Sequence, residues 1–170
     1  ANGKRDSRHR IEHIEIVHPD DIPRFAELGV IASMQPPHPP GSMGLPLEPT
    51  VSKIGEHRSP YAYAWRALKD AGVRIAFASD WPVSPLEVID GIEAAMTRKP
   101  WRDDLPDQRL TLDETLAAYT REGAYTGFME GKTGRLAPGM LADIVVLSGD
   151  IRCLAHDQIH TLKPVTTICD

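Results

Sequence analysis

Four polar residues lie on or just after short apolar runs, and their types could hold a metal ion and move a proton. His13 stands in RHRIEHIEIV, Gln35 and His38 follow VIASM in the segment QPPH, and Asp80 follows VRIAFAS in ASDWPV. A neutral imidazole offers a nitrogen lone pair; a carboxylate can ligate a divalent ion and take a proton from water beside it. Trp81 and Pro82 follow Asp80 directly, which stiffens its backbone and sets an aromatic ring next to it. Each residue also has a plainer role. Asp80 could cap a turn, His13 could be a core histidine satisfied by Glu12 or Glu15, and His38 could be an exposed loop imidazole. His18, His57, His156 and His160 read as turn or surface residues, and Asp143 as the acid that fixes a turn before IVVL. Glu12 alternates with His13, so on a strand it faces the other side, where Arg10 can pair with it.

The elements that must position these residues alternate along the chain. Arg10 to Val17, with Ile11, Ile14, Ile16 and Val17, is predicted as a strand. HPDDIPRFAELG is predicted as a helix. Pro19 suits its first turn, Asp20 and Asp21 its positive end, Ile22, Phe25 and Leu28 its apolar stripe, and Gly29 its close. Val30 to Gln35 reads as a short buried strand. Pro36, Pro37, Pro39, Pro40, Pro46 and Pro49 then forbid regular structure, giving a loop to about Arg58 that is longer than the ~12 to 15 residues usual for a plain connection.

After the loop, Ser59 and Pro60 are read as the start of a helix with Trp65, Leu68 and Ala71 on one face and Gly72 at its end. Val73 to Ala78 is the next strand. Ser84 with Glu87 offers a capping box for a helix turning Leu86, Ile89, Ile92 and Met96 inward; Thr111 with Glu114 offers another, for Leu112, Leu116 and Tyr119. Strand and helix in alternation predict an α/β fold of parallel strands with right-handed crossovers, with ligands at the strands' carboxyl ends. Beyond Pro138 and Gly139 the pattern changes, and Ala142 to Leu147 is β-rich with no helix behind it. The division expected is residues 1–130 for the α/β part and 131–170 for a small β element.

Composition narrows the function classes. The 170 residues carry 19 Lys plus Arg against 24 Asp plus Glu, a net charge of -5, with 41% hydrophobic residues, which is ordinary globular usage. No long basic run interleaved with aromatics appears, so no nucleic-acid partner is expected. Lys4, Arg5, Arg8 and Arg10, mixed with Asp6, read as a solvated leader. No apolar run approaches the ~20 residues of a membrane helix, and a cytoplasmic protein is expected. Cys153 and Cys169, without CxxC spacing, support neither a disulfide framework nor a zinc ribbon.

Taken in order, RHRIEH, HPDDIPRFAELGV, ASMQPPH, FASDWPVSPL, TLDETLAAYT and GRLAPGMLADIVVL resemble the C-terminal half of the amidohydrolase superfamily, in the branch with YtcJ-like proteins and N-substituted formamide deformylases. The resemblance runs from about Arg8 to Asp150. It implies the last three βα units of a (β/α)8 TIM-type barrel, plus C-terminal strands of a small β-sandwich. It implies a divalent metal, zinc by default, held by His13 and Asp80, with Asp80 as general base and acid. It sets Gln35 and His38 on the side of a small amide-type substrate; Trp81, from its place beside Asp80, is read either as a substrate-side ring or as a packing residue. The family's first-strand HxH, its bridging acid or lysine and its fifth-strand histidine have no counterpart here, so the chain by itself is expected to be inactive. Two further readings stay open: a non-catalytic partner-binding module, and a small metal module built from His13, His38 and Asp80. Exposed barrel edges would invite association, homo-oligomers included.

Overall fold

The computed structural model describes residue 3 and residues 5–170; Lys4 lies outside them. Three parallel strands form the central sheet: β1 (Arg10–Glu12), β2 (Ile31–Met34) and β3 (Ile75–Phe77), in the order β1-β2-β3. Arg10 pairs with Ile31, and Ala32 with Ile75. The middle strand β2 and its neighbour β3 are buried, as expected of apolar parallel strands covered on both faces. β1 is the exposed edge.

Between β1 and β2 runs α1 (Asp21–Leu28), which begins two residues later than Pro19. It ends as its sequence predicts. Gly29 takes φ +64°, its amide donates to Ala26 (3.1 Å), and the Val30 amide donates to Phe25 (2.9 Å). The strand expected to reach Val17 stops at Glu12, because His13 and Ile14 both take positive φ, +67° and +49°, and turn the chain out of the sheet.

The proline segment is not wholly irregular: a five-residue helix, α2 (Thr50–Ile54), forms just after Pro49. The helix expected from Ser59 is interrupted. Ser59–Tyr61 is a single 3-10 turn, and α3 (Trp65–Asp70) starts only after Tyr63, at φ +49°. The cause is pairing with the segment after His13: Tyr63 N–H donates to Glu15 (2.8 Å), Val17 N–H donates to Tyr61 (3.2 Å), and Ile16 bridges Ala62.

Beyond β3 come α4 (Val88–Thr97), α5 (Leu112–Tyr119) and α6 (Arg121–Thr126). The capping box at Thr111 forms in both directions, with Glu114 N–H to Thr111 at 3.3 Å and Thr111 N–H to Glu114 at 2.9 Å. The one expected at Ser84 does not. Glu87 itself precedes α4, Ser84 is buried on the cleft described below, and Leu86 points to solvent.

The core centres on Trp65, Leu68, Met34, Ile75 and Phe77, with Trp65 edge-on to Phe77 at 5.6 Å. A second cluster joins Ile92 and Met96 of α4 to Ile159, which comes from the 3-10 turn His156–Thr161. That turn lies between β4 (Ile144–Leu147) and β5 (Pro164–Ile168), which pair antiparallel, so the C-terminal ribbon is fastened to α4 through Ile159. Asp143 does fix the turn region, accepting from Thr133 Oγ1 at 2.6 Å.

Arg8 corrects the reading of a solvated leader. Its side chain is only 10% exposed, donates to both carboxylate oxygens of Glu130 (2.8 and 2.6 Å), and lies over the Tyr125 and Phe128 rings. Nothing in its sequence neighbourhood shows a partner over a hundred residues away. Among the described residues no helix is long and apolar enough to cross a membrane.

Candidate metal centre

His13, His38 and Asp80 arrive from the carboxyl ends of three adjacent strands. His13 directly follows β1, and its amide prolongs the sheet by donating to Ser33 (2.8 Å). Ala78 does the same on β3, donating to Met34 (3.1 Å), two residues before Asp80. His38 closes a turn after β2, its amide donating to Gln35 O (3.1 Å).

The backbone at these points is strained in a consistent way. Positive φ is uncommon for residues other than glycine and a genuine outlier for a β-branched one. Yet His13, Ile14, Tyr63 and Asp80 all adopt it, Asp80 at φ +60°. Such conformations cluster where the surrounding structure holds a functional group in place.

The geometry converges. Asp80 Oδ2 lies 3.6 Å from His38 Nε2 and 3.9 Å from His13 Nδ1, and the two imidazoles stack at 5.5 Å with 14° between their planes. One ligand atom from each of the three lies within 4.8 Å of the others, and no other group of three His, Cys, Asp or Glu side chains among the described residues converges this way. At these separations the carboxylate makes no proper hydrogen bond to either ring. His38 Nε2 is buried without a partner.

That orphaned nitrogen tests whether a metal fits. Burial, opposed more weakly by the Asp80 charge, pushes the His38 pKa down and favours the neutral ring. A neutral imidazole with a free lone pair, beside a second imidazole and a carboxylate, is a donor set suited to zinc, which takes nitrogen and oxygen ligands in tetrahedral sites. The residues present fit the group.

A cleft of about 420 Å³ opens on the three ligands, its remaining walls Glu15, Leu45, Val83 and Ser84. A larger cleft, about 840 Å³, lies elsewhere, between the proline loop and α4, where His160 accompanies Glu93 and, among the described residues, no comparable ligand set gathers. Of the residues expected on the substrate side, only His38 lines the ligand cleft. Gln35 is buried beneath with Oε1 unpartnered, and Trp81 is 66% exposed and outside the lining. Glu15 and Ser84 were not singled out from sequence. No spacing signal places Glu15 there, because His13 and Ile14 take positive φ and the chain between His13 and Glu15 is not extended.

The family model for the amidohydrolase family matches residues 1–170. The chain belongs to the amidohydrolase family. Among curated relatives it is 34% identical over 152 residues to protein LONG AFTER FAR-RED 3 of Arabidopsis thaliana, covering 87% of this chain and 25% of that protein. It is 27% identical to the putative amidohydrolase YtcJ of Bacillus subtilis (98% of this chain, 31% of the relative) and 29% identical to the N-substituted formamide deformylase of Arthrobacter pascens (95% and 30%). This amidohydrolase chain thus spans a quarter to a third of the length of the curated relatives it matches.

Solved structures agree. A metal-dependent hydrolase from Pyrococcus furiosus superposes with a TM-score of 0.62 at 29% identity, covering 78% of this chain and 26% of that one. Another from Pyrococcus horikoshii reaches 0.72 at 24% identity, covering 88% and 30%.

Proposed function

We propose that this amidohydrolase chain is the C-terminal part of a metal-dependent hydrolase that cleaves the C–N bond of a small amide or formamide. The observation that carries this is the approach of His13, His38 and Asp80 to one point at the carboxyl ends of β1, β2 and β3, with His38 Nε2 left unpartnered. The similarity to a formamide deformylase and to a metal-dependent hydrolase supports the bond type and the metal. The strands take the place of the last three of a (β/α)8 barrel, which needs ~250 residues in all. Residues 131–170 belong to a smaller β unit beside it.

His13, Asp80 and the added nitrogen of His38 would hold the ion, with zinc the best match to two imidazoles and a carboxylate. When bound, it supplies a water acidified toward a pKa of ~7 and polarises the substrate carbonyl. Asp80 then does the proton work. It takes the proton from the attacking water and delivers it to the nitrogen as the C–N bond breaks, so amide plus water become acid plus amine. Its left-handed backbone and the hydrogen bond from Val83 N–H to Asp80 O (2.8 Å) fix where that carboxylate points. Gln35 lies buried behind the turn that carries His38, where its backbone carbonyl accepts the His38 N–H (3.1 Å), and it stands outside the substrate cleft.

The test uses the complete open reading frame that carries these residues, loaded with zinc and assayed by amine release from N-formyl amines. Turnover is expected, and Asp80→Asn should lower kcat at least ~10³-fold while the circular dichroism spectrum stays unchanged, since general base and metal ligand are lost together. An Asp80→Asn enzyme retaining normal turnover would remove the assigned base.

A further inference from the structure

The corner where α4 ends is tied to the segment that follows His13. Arg98 comes directly after α4, its amide donating to Ala94 O (3.1 Å), and its guanidinium sits among three rings. The guanidinium carbon lies 5.3 Å from the Tyr63 ring, 5.2 Å from Trp65 and 5.6 Å from Trp101, all within cation–π range. Nη1 donates to Tyr63 O (2.9 Å) and Nη2 to Ala62 O (3.3 Å), while Nε is buried without a partner. Burial pushes this guanidinium down to about 10, so it keeps its charge at neutral pH.

Desolvating a cation is costly, and an apolar side chain would fill the space among the rings without that cost. What the guanidinium adds is direction. Tyr63 is left-handed at φ +49°, a conformation that its surroundings must sustain. The two residues that Arg98 holds also grip the chain after His13: Tyr63 N–H donates to Glu15 O (2.8 Å), and Ile16 bridges Ala62. Only Ile14 separates His13 from Glu15, and both His13 and Ile14 are left-handed as well. The His13 turn is thus anchored twice, to the sheet by its own amide on Ser33 O (2.8 Å) and to Ala62–Tyr63 through Glu15 and Ile16. The second anchor depends on Arg98. The same corner is fixed to the loop that carries His38, because Trp101 Nε1 donates to Pro40 O (2.8 Å).

We propose that Arg98 is a positioning residue of the metal centre, one that locks Ala62 and Tyr63 so that they hold the His13 imidazole where it can ligate. This role rests on the reading of His13 as a metal ligand. Arg98 itself touches neither metal nor substrate; it acts through the backbone of residues 62 and 63.

Two measurements on the complete open reading frame decide it. The first is a double-mutant cycle on zinc affinity, read by competition with a chelating dye, in wild type, Arg98→Met, His13→Ala and the double variant. Arg98→Met keeps an apolar stem and removes the donors. It should weaken zinc about tenfold, the lower end of what groups behind metal ligands contribute. In the His13→Ala background it should weaken zinc no further, because the ligand it positions is gone. An unchanged affinity in Arg98→Met overturns the proposal, as does a second tenfold loss in the double variant, which would make Arg98 act on the fold at large. Should Arg98→Met fail to fold, Arg98→Lys, which keeps a cation but lacks the two-pronged fork, enters the same cycle under the same criteria. The second measurement is amide hydrogen exchange in the zinc-free protein. Arg98→Met should speed exchange at Tyr63 and Val17 about tenfold and leave Ala32 and Ala78, paired within the sheet, unchanged. Equal protection at Tyr63 and Val17, or a uniform loss everywhere, overturns the proposal. If wild type binds no zinc, the reading of a metal centre falls, and the exchange comparison still decides whether Arg98 holds the segment after His13.

Discussion

The two ends of the parallel sheet treat their charges in opposite ways. At the amino ends, Arg8 precedes β1 and Arg74 precedes β3, and both guanidinium groups lie over the Tyr125 ring, at 3.8 and 3.7 Å. Their acids are at hand. Glu130 takes two hydrogen bonds from Arg8, and the nearly buried Glu122 is paired with Arg74 and Arg121. At the carboxyl ends, by contrast, Asp80 stands 3.6 and 3.9 Å from two imidazoles and hydrogen-bonds neither. Satisfied charges fasten α6 and its neighbours to the sheet. At the carboxyl ends the charged and imidazole groups sit on a backbone of positive φ and make no hydrogen bond to one another. The same sheet therefore holds paired charges at one end and, at the other, the three residues to which the proposed function assigns the chemistry.

The sharpest way to break this comparison is to remove one ligand and ask which property fails. His38→Ala deletes the orphaned nitrogen. Even substitutions outside a metal's direct ligands cost roughly 10 to 100-fold in affinity, so zinc affinity, measured by competition with a chelating dye, should fall by ~100-fold. Thermal stability in EDTA should hold or rise, because a buried nitrogen without a partner is removed. If metal-free stability collapsed instead, His38 would belong to the fold rather than to the site.

The reciprocal substitution acts on the other end. Arg74→Met keeps an unbranched apolar stem but removes the guanidinium, leaving Glu122, with its side chain 10% exposed, facing only Arg121. Breaking a buried pair costs ~3 to 5 kcal/mol, and the partial exposure of Arg74 reduces this to about 2 kcal/mol. Urea unfolding should show that loss, with zinc affinity unaltered. A parallel fall in zinc affinity would mean that the two ends are coupled, against the division drawn above.

Much of this division could be read from residue order, and some of it could not. His38 and Asp80 were legible because each follows an apolar run, His13 because it lies on the neighbouring strand, and the carboxyl ends of parallel strands lie together. The cap at Gly29 and the capping box at Thr111 were legible because their signals are local. Three features were hidden for lack of a local signal. His13 and Ile14 take a conformation their residue types disfavour, so the strand was expected to continue to Val17. Ser84 with Glu87 has the spacing of a capping box, yet the cleft claims Ser84 and the helix begins at Val88. Arg8 finds Glu130 only because the fold closes 122 residues between them. Tertiary pairing decided each of these, whereas the sequence signals describe neighbours along the chain.

The smallest effect expected concerns that last pair, and it is read through pH. Arg8, with its hydrogen bonds, holds the Glu130 carboxyl down to about 2, below its ordinary value of 4.5. A carboxyl depressed in the folded state binds its proton more readily when unfolded. Its contribution is therefore fully present above the unfolded value and is lost as pH falls from about 4.5 toward 2. Glu114, brought to about 2 first by Arg66 and then by Thr111, falls away over the same window. Glu130→Gln should lower Tm modestly at pH 7, and the variant and wild-type curves should converge as pH drops to about 2, because the protonated wild type also lacks the charge. Zinc affinity at pH 7 should not change. Parallel Tm curves that keep their separation down to about 2 would show that Glu130 acts through packing rather than charge. The amino end of the sheet would then be secured by the Tyr125 and Phe128 rings around Arg8, with the ion pair only accompanying them.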